Sequence, residues 1–306
     1  MEIWKYGNNL KSQITMQVKS IKKIIASKLE EWLESIEDES LRKKVRKNIL
    51  LSGGSITSLL QQQEVNDYDI YLKDMDVLLE LTKYYTKDIP NVEILDGRNK
   101  AKYKEERDYE IEDDQSKRTV AIRTLREDQI KLYLPTGGLK INNDKDKKYQ
   151  VVFLSPNAIS LSDNIQIVIR FHGDNEAIHK TFDFIHATNY FTFDDGLVLN
   201  VEALTSIMSK TLKYQGSLYP LTSIIRIKKF LNRGWNISAG EMLKIMFQIS
   251  ELDLTNPDVL EEQLIGVDIA YFGTLVNILR DTKHEMSSHY LNTIIDRVFN
   301  EGDGEQ

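Results

Sequence analysis

Cysteine is absent from the 306 residues, which excludes disulfide partners and thiolate-ligated zinc and leaves a reducing compartment permitted. Long apolar runs are missing too. No stretch approaches the roughly eighteen residues a membrane-spanning helix needs, and the N-terminus MEIWKYGNNLK lacks the apolar core of an export signal. No membrane contact is expected, and the expected compartment is the cytoplasm. Nor is there an excess of positive charge: 40 Lys and Arg against 47 Asp and Glu leave a net charge of −7. That balance argues against a dedicated nucleic-acid coat while allowing local basic surfaces. No internal repeat is visible.

What is present reads as an ordinary globular chain, long enough for one large or two modest domains. From about Lys11 to Ser40, Ile14, Val18, Ile21, Ile24, Ile25, Leu29 and Leu33 recur at helical spacing with charges opposite them, which predicts an N-terminal helix. A second helix, LRKKVRKN, follows. Its cluster Arg42, Lys43, Lys44, Arg46 and Lys47 reads as a solvated face, with contact to a phosphate backbone as the other reading.

The informative stretch is LSGGSITSLLQQQEVNDYDIYL, Leu51 to Leu72. The apolar run ending in Gly53-Gly54 suits a strand that stops at a sharp turn. Ser55 can cap a helix whose Ile56, Leu59 and Leu60 face a core. Two glycines ahead of a helix leave backbone N–H groups with no Cβ atoms to keep a phosphate away. After a polar turn, DYDIYL alternates with period two, sending Tyr68, Ile70 and Leu72 one way and Asp67 and Asp69 the other. Two carboxylates on one face repel unless a divalent cation lies between them, and Mg2+ suits such a pair. Each half alone is weak, since a double glycine is usually a turn and a D-x-D pair usually two solvated acids.

In this order and spacing, Gly53, Gly54, Leu59, Leu60, Asp67 and Asp69 resemble the head domain of the class II polynucleotide nucleotidyltransferases, the CCA-adding enzymes and bacterial poly(A) polymerases. Thr57-Ser58 replaces the family's Arg-Asp. A second landmark, HKTFDFIHATNYFTFDDGLVLN, resembles the family's R-R-D-F-T segment and the acidic-glycine turn after it. Asp183 and Phe184 match, Asp194-Asp195-Gly196 supplies the turn, and Lys180 is the nearest basic residue. A third, TLKYQGSLYPLTSIIRIKKFLNRGWNIS, resembles the family's neck entry through Arg226, Lys229, Phe230, Gly234 and Trp235, with Leu218, Tyr219 and Pro220 in place of its base-selecting acids.

The resemblance implies an α+β fold: a mixed-sheet nucleotidyltransferase head over residues 48–200, preceded by N-terminal helices (1–47) and followed by an all-helical, neck-like domain (201–306). It implies catalysis by Asp67 and Asp69 holding two Mg2+ ions, with nucleotide contacts from Gly53, Gly54, Ser55, Lys180, Asp183, Arg226 and Lys229. A third carboxylate is open: strand IQIVIRF offers Gln166 and no acid, so either Asp183 serves or two acids suffice. His186 falls one turn after Asp183, placed to orient it. His172, His179 and His186 recur every seven residues, but Gly173 breaks the helix a metal stripe needs.

Elsewhere, Asp76 to Tyr85 reads as a helix and Asn91 to Leu95 as a strand. KAKYKEERDYEIEDDQSK reads as a surface insertion. Strands are predicted near Thr119 to Ile122, Ile130 to Leu134, Tyr149 to Leu154 and Ile165 to Phe171, with Thr136-Gly137-Gly138 as a hairpin turn. Helices are predicted over Ala239 to Ser250, Val267 to Arg280 and Glu285 to Phe299. The expected activity is template-independent transfer of a nucleoside monophosphate from an NTP to a hydroxyl, foremost an RNA 3′ end. The alternatives are a small-molecule or protein acceptor, or a non-catalytic binding protein on the same scaffold.

Overall fold

A helix with apolar residues at i, i+4 and i+8 has to bury that stripe, and the first helix, α1 (Glu2–Glu34), does so through Ile21, Ile25, Leu29, Trp32 and Leu33. Ile24, expected on the same face, is 46% exposed because it falls on the flank of the stripe. The structure is a computed structural model that describes residues 2–107, 121–122, 125–142, 147–254, 256–263, 292–293 and 295–296. It divides into two units, Met1–Lys180 with His186–Ile207, and Thr181–Ile185 with Met208–Gln306.

In the first unit, α2 (Glu39–Asn48) starts where the Asp38 carboxylate accepts from the Leu41 N–H, and it buries Leu41 and Val45. Its basic cluster is a paired surface: Lys43 meets Glu39 at 2.7 Å, Lys44 meets Glu80 at 2.8 Å and Arg46 meets Glu30 at 2.7 Å. Such exposed pairs add little stability.

The strand β1 (Ile49–Ser52) is buried at every position, as a central strand must be. It runs antiparallel to β2 (Tyr68–Leu72) on one side and to β9 (Tyr190–Thr192) on the other. Between β1 and β2 lies α3 (Gly54–Leu60), and after β2 comes α4 (Met75–Thr86), capped by Asp74. The eight-stranded sheet has the order β10-β9-β1-β2-β8-β7-β6-β5. Its other members are β5 (Leu139–Lys140), β6 (Val151–Ser155), β7 (Ala158–Leu161), β8 (Ile165–His172) and β10 (Gly196–Val198). The β2–β8 pair is parallel and the others antiparallel, so the sheet is mixed and the expected α+β class holds. One core joins α1, α2 and α4 to this sheet through Trp32, Leu51, Ile70, Leu78 and Ile167.

Several local expectations fail for tertiary reasons. Thr136-Gly137-Gly138 is a turn but no hairpin: β4 (Ile130–Tyr133) pairs with β3 (Glu93–Asp96) in a separate two-stranded sheet, whereas β5 pairs with β6. Lys100–Arg107, the start of the segment read as a surface insertion, is helical; the rest of that segment lies outside the described residues. Ala121 and Ile122, read as strand, are helical. Among the described residues no helix is long and apolar enough to cross a membrane.

The second unit is not all helical, because Thr211–Leu212 and Asn236–Ile237 form a short parallel pair. Its helices Pro220–Asn232, Ala239–Ser250 and Pro257–Gln263 bury Tyr219, Ile227, Trp235, Ile245 and Leu260 with Phe184 and Tyr214. Phe230 stacks edge-on against both Phe184 and Trp235. The helices predicted over Val267 to Arg280 and Glu285 to Phe299 lie outside the described residues, apart from residues 292–293 and 295–296, which are helical.

Candidate functional site

The turn after β1 is built on Gly53, whose φ of 99° and ψ of −152° lie in a region essentially restricted to glycine. Its N–H donates to the Ala187 carbonyl at 3.1 Å. The helix begins at once with Gly54, so Ser55 is not the cap its position in the sequence predicts. Gly53 holds the cap position, without a side-chain hydrogen bond. Ser55 is instead buried at 2% exposure, and its hydroxyl has no hydrogen-bond partner among the described residues. A Cβ at Gly54 would meet nothing within 4 Å. Ile56 is fully buried, and Leu59 and Leu60 pack partly buried against the core as their spacing predicts.

This turn is braced by the segment around residues 186–189. The Ser52 hydroxyl lies 2.8 Å from the Asn189 carbonyl, 3.3 Å from the Ala187 carbonyl and 3.0 Å from His179 Nε2. Its single proton goes to a carbonyl, so His179 Nε2 must be the donor to Ser52 Oγ. Thr57 Oγ1 donates to the His186 carbonyl at 3.0 Å, tying the new helix to the same segment. No sequence motif marks this brace, because its halves are more than 120 residues apart.

Asp69 projects from β2 towards the glycine turn. Its Oδ2 lies 3.1 Å from where a Cβ on residue 53 would sit, and its Oδ1 accepts from Gln166 Nε2 at 3.2 Å. Asp69 is half-buried. Asp67 is exposed and stands just ahead of β2 rather than within it, where the Tyr68 N–H donates to the Asn164 carbonyl at 2.7 Å. Tyr68, Ile70 and Leu72 are buried as the alternation predicts. Among the described residues there is no group of three or more His, Cys, Asp or Glu able to hold a metal ion. The three seven-spaced histidines serve separate places: His172 Nε2 meets the Asp128 carbonyl, His179 meets Ser52, and the His186 carbonyl takes Thr57.

Lys180 is exposed, directly after the short helix Asn175–His179. Asp183, Arg226 and Lys229 belong to the second unit. There Asp183 is buried, with Oδ1 accepting from Ser217 Oγ at 2.7 Å and Oδ2 paired to Arg226 at 2.5 Å. Orientation of Asp183, anticipated from His186, falls to Ser217 and Arg226. Lys229 is exposed on the same helix as Arg226.

Burial lowers the pKa of both His179 and His186 from 6.5 to about 4. Each is therefore held neutral in the fold, while the unfolded chain takes up protons near pH 6.5. Their contribution is intact above that value and is lost as pH falls towards about 4. The urea midpoint should fall across that window, and His179→Gln, which keeps a donor for Ser52, should flatten part of the fall. A midpoint unchanged across the window contradicts the burial argument.

Known proteins offer a family model, a curated relative and two solved structures for comparison. The family model described as Gabija anti-defense 2 family protein matches residues 23–210, more than half of the chain. A curated relative, Gabija anti-defense 2 of Bacillus phage SPbetaL7, is 22% identical over 225 residues, which make up 72% of this chain and 42% of the relative. The chain thus spans less than half the length of that relative. Among solved structures, a CCA-adding enzyme in complex with ATP is similar with a TM-score of 0.40 and 13% identity, over 93% of this chain and 54% of that one. The Thermotoga maritima CCA-adding enzyme complexed with tRNA is similar with a TM-score of 0.37 and 14% identity, over 91% and 62%. At these scores neither structure carries an argument about activity.

Proposed function

This chain belongs to the Gabija anti-defense 2 family, and from that membership we propose that it counters a Gabija defence by nucleotidyl transfer in the cytoplasm. The acceptor is a hydroxyl on a protein or small molecule of that defence, in preference to an RNA 3′ end. The observation that carries the reading is the edge where Asp69 faces the glycine turn, beside a buried Ser55 hydroxyl without a hydrogen-bond partner among the described residues. A buried polar atom without a partner is costly, and a phosphate oxygen would satisfy this one. The open flank at Gly54 admits such a group. Because the Gly53 N–H is committed to Ala187, the phosphate contacts fall to the N–H groups of Gly54 and Ser55, and Gly53 contributes its conformation.

The donor set suits magnesium. Asp67 and Asp69 are hard oxygen ligands, and two carboxylates are enough for an ion that fills its shell with water and substrate phosphates. Bound there, the ion would neutralise the triphosphate and activate the acceptor hydroxyl. Asp69 is held in place by Gln166. The acceptor oxygen attacks the α-phosphorus, the bond to the β-phosphate oxygen breaks, and pyrophosphate leaves. The hydroxyl proton passes to a carboxylate of the pair. Lys180, in the same unit, assists with the triphosphate.

The net charge of −7 and the family's name favour a non-RNA acceptor. The test is incubation of the chain with labelled NTPs and Mg2+ in an extract of cells carrying a Gabija system, followed by separation of RNA, protein and small molecules. Label is expected in the protein or small-molecule fraction and absent with the Asp67→Ala, Asp69→Ala double variant. Label in RNA alone would return the acceptor to an RNA 3′ end. Equal labelling by the double variant ends the catalytic reading.

A further inference from the structure

The strand beside the Asp69 strand carries an amide where a third acid would complete a metal cluster. Gln166 on β8 is the register partner of Asp69 on β2, and its Nε2 reaches Asp69 Oδ1 at 3.2 Å. On the far side, Ser160 of β7 is in register with Gln166, and its hydroxyl lies 3.5 Å from Gln166 Oε1. A donor on one side and a carboxylate on the other orient the amide: carbonyl towards Ser160, NH2 towards Asp69. The three side chains form a row across three adjacent strands, ending on the carboxylate next to Gly53.

The chemistry of this row differs from that of an acid in the same place. Glutamate has the length and shape of glutamine, so it would set a second carboxylate against Asp69, a repulsion relieved by a cation. Glutamine replaces that repulsion with a hydrogen bond and holds Asp69 in place without an ion. It also leaves the site with the charge of two acids, and affinity for a hard divalent ion follows the count of charged oxygen ligands. The missing anionic oxygens are those a triphosphate brings.

We propose that Gln166 is a positioning residue that makes metal binding conditional on nucleotide: the Asp67–Asp69 edge captures a divalent ion only together with a triphosphate. This rests on the nucleotidyl-transfer reading above. An ion therefore enters with its nucleotide rather than waiting for it, and the empty site keeps its shape through the Ser160–Gln166–Asp69 row.

The test is Mn2+ uptake by the full chain, read from the loss of the free-ion electron paramagnetic resonance signal, with and without an ATP analogue whose α,β-bridge is a methylene. Wild type should take up little Mn2+ alone. With the analogue it should take up more than the analogue binds by itself. Gln166→Glu should bind Mn2+ without nucleotide about tenfold more tightly than wild type, and adding Asp69→Asn to it should remove the gain. Wild type binding Mn2+ alone as tightly as Gln166→Glu overturns the role of Gln166 and leaves nucleotidyl transfer standing. No uptake by any form, with or without the analogue, removes both. Should Gln166→Glu fail to fold by circular dichroism, the wild-type comparison decides: uptake unaffected by the analogue overturns the proposal.

Discussion

Gly53→Ala is expected to abolish nucleotidyl transfer and to lower stability by about 1–3 kcal/mol, the usual cost of a strained backbone position. Two effects add. The backbone of residue 53 sits at φ 99°, ψ −152°, which an L-residue with a Cβ adopts only under strain. The new methyl would also stand 3.1 Å from Asp69 Oδ2, so the carboxylate or the turn must give by a few tenths of an ångström. Either shift disturbs the hydrogen bond to Gln166 and the approach of a phosphate to Gly54 and Ser55. Gly54→Ala separates strain from function. Its methyl meets nothing within 4 Å and lies in a helix, so stability should hold or rise slightly. Nucleotide affinity should nevertheless fall, since the methyl occupies the flank proposed for the triphosphate. Urea midpoints and labelled product measure the two effects. A Gly53→Ala protein as stable and as active as wild type removes the turn from the argument.

The second large effect lies in the other unit and is asymmetric. Arg226→Ala should cost about 2–3 kcal/mol, because it strands the buried Asp183 carboxylate with Ser217 as its remaining partner. The loss stays below that of a fully buried pair because the Arg226 side chain is 41% exposed, and solvent screens part of the interaction. Asp183→Asn should cost much less: the stranded group is then an arginine with access to water, and asparagine can still accept from Ser217. Denaturation of the two variants side by side decides the matter. Equal losses would mean the pair acts as an ordinary surface bridge.

Much of the first unit was legible from periodicity. The α1 stripe, the buried β1, the alternation of DYDIYL and the strand over Ile165 to Phe171 follow from apolar residues needing one face against a core. The glycine turn was legible because few backbones tolerate anything else there. Partnership across the sheet was not. Gln166 stood out in the sequence as a missing acid, yet its bond to Asp69 arises from the parallel register of β2 and β8, which no local pattern encodes. The same limit hid the Ser52–His179 brace and turned the Thr136-Gly137-Gly138 hairpin into a link between two sheets.

The order of residues by itself determined most helices and strands of the first unit, the turn on Gly53, and that two acids stand two positions apart at the start of the strand after it, since these depend on side chains close together along the chain. Only the tertiary structure decided that Asp69 Oδ2 lies against the turn at Gly53, that Gln166 supports that carboxylate from the next strand, and that Asp183 is tied to Arg226 and Ser217. Those are contacts between residues distant in sequence. They form because burial brings the strands and helices together, and register then selects which polar groups meet.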